Sequence, residues 1–573
     1  MRWARRGAIA LVVAAVAFGG YRAYGAWREK NLARQAREFF ARGDYQSAVL
    51  VARHLLQLDQ NNVAACRVMA DTAELAGRVE AVSWRQRVVA LEPNVADNAI
   101  ALAGTALRFG QVDLARKILE TVPPSARGTV KYLQLSGGIA VVERLPALAE
   151  TNFSAALKLE PNNLQLALNL ATVRLALPEM DTNEKARAEL ARLIDQPTVR
   201  LEALRALTAD ALGHNSRVSA ERWAAQLKSE REATFADLLL YLEAVHGTEL
   251  AAPALLEAQA KADKSSVMAS TLITWMNRHS LAQPAIAWAL TLPKQTLEQQ
   301  PVPLAIAESY SFLSDWNALQ AWVDGKNWAE YECFRLAVLS HALHRLTPID
   351  RPSMESETVW QAALKAAQTR PERLAAIARL AEGWGYTADA EEAWWIIANG
   401  NESAKLALEA LQRLYQSKQN SHGLLRVAKR ALELNPADLV AANNYASLGL
   451  LLTGDVSARR LALKLHQENP ANAIFSATYA FALHLEGKTG EALKMMESLK
   501  EPQLRHPSLA AYYFVMLVEN GQMERAHLFL SAANKAALLP EEQQLLTAAT
   551  RKLLTHDSHN LTKSVAAAEP AIP

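Results

Sequence analysis

The sequence predicts an all-α protein, a right-handed α-solenoid of stacked helix-turn-helix repeats running from about residue 31 to about residue 534. Three observations predict it. Leu91-Glu92-Pro93-Asn94 returns 68 residues later as Leu159-Glu160-Pro161-Asn162, and Asn435-Pro436-Ala437 returns 34 residues later as Asn469-Pro470-Ala471. A step of about 34, or twice that, is the length of one helical hairpin. Second, Gly43, Gly110, Gly385, Gly487 and Gly521 are each followed five residues on by alanine: Ala48, Ala115, Ala390, Ala492 and Ala526. Third, no stretch sustains the period-2 alternation of a strand.

In chain order, a basic head over 1–6 (Met1-Arg2-Trp3-Ala4-Arg5-Arg6) precedes a charge-free run from Gly7 to Tyr21, closed by Arg22 with Tyr24 and Trp27 nearby. This predicts a transmembrane signal-anchor over 7–27, although its fifteen charge-free residues span only about 22 Å of a hydrocarbon layer roughly 30 Å thick. Snorkelling by Arg22 and the flanking aromatic rings would make up the difference. Ala15-Val16-Ala17 offers a cleavable signal peptide as the rival. The arginines before the run favour a single-pass protein of a bacterial inner membrane with its repeats on the periplasmic side. Basic residues after the run leave the cytoplasmic-facing alternative open.

The repeats divide into an array over 31–197, a degenerate set of hairpins over 198–370, and a second array over 371–534. In the middle set Ser280 and Ser314 occupy the turn-glycine position, and Pro284 falls just inside a second helix, which reads either as drifted repeats or as a break between two superhelical arms. Within each repeat the glycine ends the first helix in a left-handed conformation, and small residues let two antiparallel helices approach closely. Seven residues before the glycine stands Ala36, Ala103, Ala378 or Ala480, with Phe514 as the exception. Nine residues after it come Ala52, Leu119, Trp394, Met496 and Leu530, which pack on the next hairpin. The prolines of the recurring phrases stop one helix before the next begins. A capping helix over 535–555 and a disordered tail over 556–573, rich in Ala, Ser, Thr and Pro, complete the expected order.

This set of marks resembles the tetratricopeptide repeat family, in its membrane-anchored bacterial form. In peptide-binding members, first helices line a concave face whose polar residues clamp an extended segment. By that resemblance Asn169 and Asn444 match the asparagine that bonds the ligand backbone. Arg379, Glu382, Thr478, Phe481, His484 and Tyr512 are the other candidate partner-binding residues. Asparagine also stabilises neighbouring hairpins and aromatic residues at helical spacing are usually core, so both roles stay open at each position. Trp394 and Trp395 read as packing between repeats.

Composition narrows the function. The 61 basic and 59 acidic residues leave a net charge of +2, which gives no electrostatic case for nucleic acid. Apolar residues at 50% and charged ones at 21% are ordinary for a folded protein with a core that grows by stacking. Cys66 and Cys333 lie in different hairpins and read as small buried side chains. His341-x-x-His344 has helical spacing but no further ligands nearby. Glu391-Glu392 and Glu541-Glu542 read as solvated helix faces. No catalytic, cofactor or metal constellation is evident, so the expectation is a non-enzymatic, membrane-tethered adaptor for a protein partner in a bacterial envelope assembly or secretion system. An accessory subunit of an envelope polysaccharide-synthesising enzyme, or a glycan-binding solenoid, are the alternatives.

Overall fold

The computed structural model describes residues 24–25, 27–348, 353–400 and 403–567, and among these only helices, turns and connecting loops occur. The chain divides into two compact units, Met1–Ala262 and Asp263–Pro573. In the first, helical hairpins follow one another from 27–41 with Tyr45–Leu58 to Phe235–Val245 with Ala251–Ala262. In the second they run from Ser266–Arg278 with Ala282–Ala289 to Pro507–Glu519 with Met523–Ala533, and a long helix, Pro540–Ala567, follows.

The period is written in the backbone. Residues with positive φ recur at 43, 77, 110 and 144, then at 215, 247, 280 and 314, and again at 385, 419, 454, 487 and 521. Gly43 shows why: its N–H donates to the Phe40 carbonyl, and that of Asp44 reaches back to Phe39, closing the helix end with two otherwise orphaned carbonyls satisfied. Ser280 and Ser314, at φ +59° and +57°, close their helices with the same bond pattern despite carrying a Cβ. The middle of the chain therefore keeps the repeat, with glycine at Gly247 and other residues at 215, 280 and 314. Pro284 sits in the first turn of Ala282–Ala289, where a missing N–H costs little.

The small-residue positions are where the hairpins close. Ala48, Ala115, Ala390, Ala492 and Ala526 are all 0% exposed. At these sites the two helices of a hairpin touch with no room for a larger side chain. Cys66 and Cys333 are both buried and free, in different units.

Two expectations change. Among the described residues no helix is long and apolar enough to cross a membrane. The run from Gly7 to Tyr21 lies outside the described residues, and the helix over 27–41 carries Arg28, Glu29, Lys30, Arg34, Arg37 and Glu38. The expected anchor over 7–27, and the inner-membrane location built on it, are accordingly withdrawn. At the other end, the helix Pro540–Ala567 continues beyond residue 555, across most of the stretch read as a tail, and 568–573 lie outside the described residues.

Candidate partner-binding groove

The C-terminal hairpins of the second unit build a groove of about 800 Å³. One wall is Gln412, Gln416 and Gln419 with Leu424, Val427 and Ala428; the floor is Ala441, Asn444, Ser447 and Leu448 from Leu439–Thr453. The opposite wall is supplied by the chain itself, through Ala536, Leu538, Leu539, Glu542 and Gln543. Asp438 caps the floor helix by accepting from the N–H groups of Val440 and Ala441, both at 3.0 Å. The groove is thus lined by amides and hydroxyls over an apolar base, the composition that suits the backbone of an extended peptide.

Of the residues expected at the partner surface, the structure brings Asn444 and Tyr512 to this region, with Phe481 and His484 beside Tyr512. Asn444 is exposed in the groove floor. Phe481, 3% exposed, meets Tyr512 edge-on at 4.8 Å and stacks toward His484 at 6.4 Å. His484 bonds Thr489 through Nδ1 at 3.0 Å, and burial lowers its pKa. Thr478 is 7% exposed and spends its hydroxyl on the Ile474 carbonyl of its own helix. Phe481 and Thr478 are therefore core, and only a covered surface remains around Tyr512.

That cover is the feature missed in the sequence. The hydroxyl of Tyr512 donates to Glu542 Oε1 at 2.5 Å, and Glu542 Oε2 accepts from the Leu539 N–H at 2.8 Å. Burial and then the Glu542 carboxylate hold the Tyr512 phenol well above its ordinary pKa, while a Ser447 hydrogen bond acts in the opposite sense. Glu541 Oε2 accepts from the Ser421 hydroxyl at 2.5 Å, across 120 residues of sequence. Ser421 opens the helix Ser421–Leu434, so this carboxylate lies at a positively polarised helix end. Beyond them Leu546, Ala549 and Leu553 are 3%, 0% and 0% exposed against the last hairpins. Glu541 and Glu542 are not a solvated face; both are half-buried with specific donors. The spacing of Leu538, Leu545, Leu546, Ala549 and Leu553 is an amphipathic stripe that could have revealed the docking.

Arg379 and Glu382 stand elsewhere. The indole N–H of Trp394 donates to Glu382, and the Arg379 guanidinium lies 5.8 Å from the same ring. Trp395 donates to the Tyr415 hydroxyl at 2.8 Å, and that hydroxyl donates in turn to Glu391 at 2.5 Å, linking successive hairpins. Both tryptophans are thus packing between helices, and Glu391 is part of their network rather than a solvated residue. His341 stacks on Trp384 at 4.3 Å with the planes 1° apart, and its Nδ1 pairs with the Tyr386 hydroxyl at 2.8 Å. Asn169 lies in the first unit, half-buried and accepting from Gln165 at 3.2 Å. It borders a separate hollow of about 530 Å³ made by three successive first helices through Ile100, Gly104, Leu135 and Gly138.

No protein-family model matches the chain, and no curated protein does. Among solved structures the chain is similar to Pseudomonas aeruginosa PilF, at 17% identity over 38% of this chain and 95% of that one, with a TM-score of 0.30. It is also similar to the APC/C hetero-tetramer Cut9–Hcn1, at 12% identity over 80% and 96% of the two chains and a TM-score of 0.31. A third similarity is to Naa15/Naa10 bound to HypK-THB, at 15% identity over 91% and 70%, with a TM-score of 0.23. At these scores the likenesses carry no argument of their own, and the fold stands on the geometry of the hairpins.

Proposed function

We propose that this chain is a non-enzymatic protein-interaction scaffold of the tetratricopeptide type, and that the groove floored by Leu439–Thr453 is where a partner's extended segment lies. One observation carries the reading. The surface formed by these first helices already holds polypeptide, since residues 536–543 lie along it, and beside them the groove stays open and lined by Gln412, Gln416, Asn444 and Ser447. Side-chain amides offer both donor and acceptor to a passing backbone, which lets them grip a peptide with little regard for its side chains. Several hairpins contribute to one groove, so affinity is spread over repeats and no single contact dominates.

The test uses residues that do not hold the core. Gln416→Ala with Asn444→Ala should leave the helical content and thermal unfolding unchanged, because Asn444 is exposed. Crosslinked capture by the wild-type chain and by this variant are then compared by quantitative mass spectrometry. Selective loss of a reproducible partner from the variant is the expected result. Retention of every partner at full strength removes this groove as the site. Substituting Phe481 would not serve, because it is 3% exposed and its loss would damage the fold itself.

A further inference from the structure

We infer that residues 536–545 are a displaceable occupant of the partner groove, and that the partner segment shares their chemistry: paired leucines followed within a few residues by two carboxylates. The inference rests on the scaffold reading above and adds what the groove selects and how it is kept closed. It starts from the sequence Ala536-Ala537-Leu538-Leu539-Pro540-Glu541-Glu542, which leaves the last hairpin at Ala533 and runs back to Ser421.

The C-terminal segment has two parts held in different ways. From Leu546 onward its apolar stripe is buried, and Lys552 pairs with Glu519 at 2.9 Å, so this part is an anchor. Between 536 and 545 no side chain is fully buried. Here Leu538, Leu539 and Leu545 are half-covered, and the specific contacts are those of Glu541 with Ser421 and Glu542 with Tyr512. Among the described residues neither carboxylate is paired with a lysine or arginine. Both are charge-assisted bonds from a neutral hydroxyl to a carboxylate, so these two contacts, rather than buried apolar surface, set where the stretch sits, and removing the carboxylates removes its specific hold.

Geometry supplies the route for exchange. The open groove runs alongside this stretch and shares its wall, so an incoming peptide can first bond the amides of Gln412, Gln416 and Asn444 while the segment is still seated. It can then place its own carboxylates at Ser421 and Tyr512 and its leucines over Leu448 and Val515, which face the present wall. The released stretch stays tethered at both ends, by Ala533 and by the anchor from Leu546. It therefore remains at high effective concentration and returns when the partner leaves. Occupancy by the chain's own segment is a standing competition that a partner must win, and it lowers the apparent affinity by the fraction of closed molecules.

The experiment adds a fluorescein-labelled peptide with the sequence of residues 534–546 to the full chain and measures anisotropy. Wild type is compared with Glu541→Ala/Glu542→Ala, which releases the segment but leaves Ser421, Tyr512 and the groove floor intact. Hydrogen exchange over 536–542 monitors the release directly. The expected result is faster exchange in the variant and at least tenfold tighter peptide binding than wild type. A peptide with both glutamates replaced by glutamine should lose that gain. Unchanged exchange shows that the carboxylates do not hold the segment, and equal peptide affinity in the two proteins shows that the segment does not compete; either overturns the inference. Failure here with loss of partner capture in the Gln416→Ala/Asn444→Ala variant leaves the scaffold reading standing. A peptide gain with capture unchanged does the reverse.

Discussion

Replacing Gly423 by alanine should destabilise the C-terminal hairpins, although the same change in an exposed helix would stabilise it. A Cβ built at Gly423 falls 2.4 Å from Cδ1, 2.5 Å from Cγ and 2.6 Å from Cε1 of Tyr415. The aromatic ring lies flat over the glycine and must retreat by about 1 Å to restore van der Waals contact. It cannot do so freely, because its hydroxyl accepts from Trp395 Nε1 at 2.8 Å and donates to Glu391 at 2.5 Å. A 1 Å shift takes these contacts beyond hydrogen-bond range. Overpacking costs about 1–3 kcal/mol and each lost bond about 0.5–1.5 kcal/mol, while leaving glycine returns about 0.5–1 kcal/mol of helix stability. The net expectation is a loss of about 2–4 kcal/mol.

Because repeats couple mainly to their neighbours, the assay should be local. Hydrogen exchange over Ala404–Ser417 and Ser421–Leu434 should accelerate by about thirty- to a thousandfold, while exchange in the first unit stays unchanged. In wild type the Tyr415 phenol is pushed up to about 12, by burial first and then by the bond to Glu391, so an ultraviolet titration should show more tyrosine ionising near pH 10 in the substituted protein than in wild type. Tyr415→Leu combined with Gly423→Ala removes the ring and should cost less than the sum of the two single changes. A Gly423→Ala protein as stable as wild type would mean that the ring does not lie on this glycine, and the hairpin register would have to be redrawn.

Three further outcomes follow from other sites. His341 is 5% exposed, and burial, helped by Arg345 and His344, pushes its pKa down to about 4 from 6.5. The folded state then binds fewer protons than the unfolded one, so stability should fall by about 3 kcal/mol as pH drops from 6.5 to 4. On the next hairpin, Asp389 is raised to about 6 by burial, Glu357 and Glu392, and it gains stability over much of the same window as pH falls. Asp389→Asn should therefore unmask the histidine, and denaturant midpoints of Asp389→Asn and Asp389→Asn/His341→Gln should diverge between pH 6.5 and 4; parallel curves would refute it. Asp237, 2% exposed, accepts two bonds from Arg205 at 2.8 Å and one from the Thr234 N–H at 2.7 Å. Burial alone would raise its pKa, but these donors outweigh that and hold it low, so its contribution is present above pH 3.8 and lost in stronger acid. Asp237→Ala should cost about 2–3 kcal/mol by thermal denaturation at neutral pH, less than an orphaned buried charge because the Arg205 side chain is 35% exposed and can rehydrate. Ser314→Gly, at φ +57°, should be neutral or stabilising by up to about 1 kcal/mol, whereas Gly385→Ala, at φ +83°, should destabilise by a similar amount; equal effects at the two sites would refute the shared turn geometry.

Much of the fold was legible because its signals are local. Gly43 and Ala48 act within one hairpin, and a turn followed by a close helix contact leaves a glycine and an alanine at fixed spacing wherever it occurs. The hairpin closed by Gln419 shows where that reading fails. Leu424 stands at the fifth position after the turn, and the small residue needed for close approach is Gly423, fitted to the Tyr415 ring. The shift is invisible without knowing which side chain lies opposite. The candidate site was legible only in part. Asn444 reaches the groove, Phe481 and Thr478 are core, and Arg379 and Glu382 serve Trp394.

The sequence by itself determined the repeat: its period, its turns and the small residues at which paired helices touch, since each depends on residues a few positions apart. Only the tertiary structure decided what covers the surface of Leu439–Thr453. Ser421 meets Glu541 across 120 residues, and Tyr512 meets Glu542 through a segment that leaves the last hairpin and turns back over it. Such contacts depend on how successive hairpins are stacked and on which surface a returning chain finds already shaped. A carboxylate in an amphipathic helix reads the same in sequence whether it faces water or a buried hydroxyl, and only the stack supplies the partner.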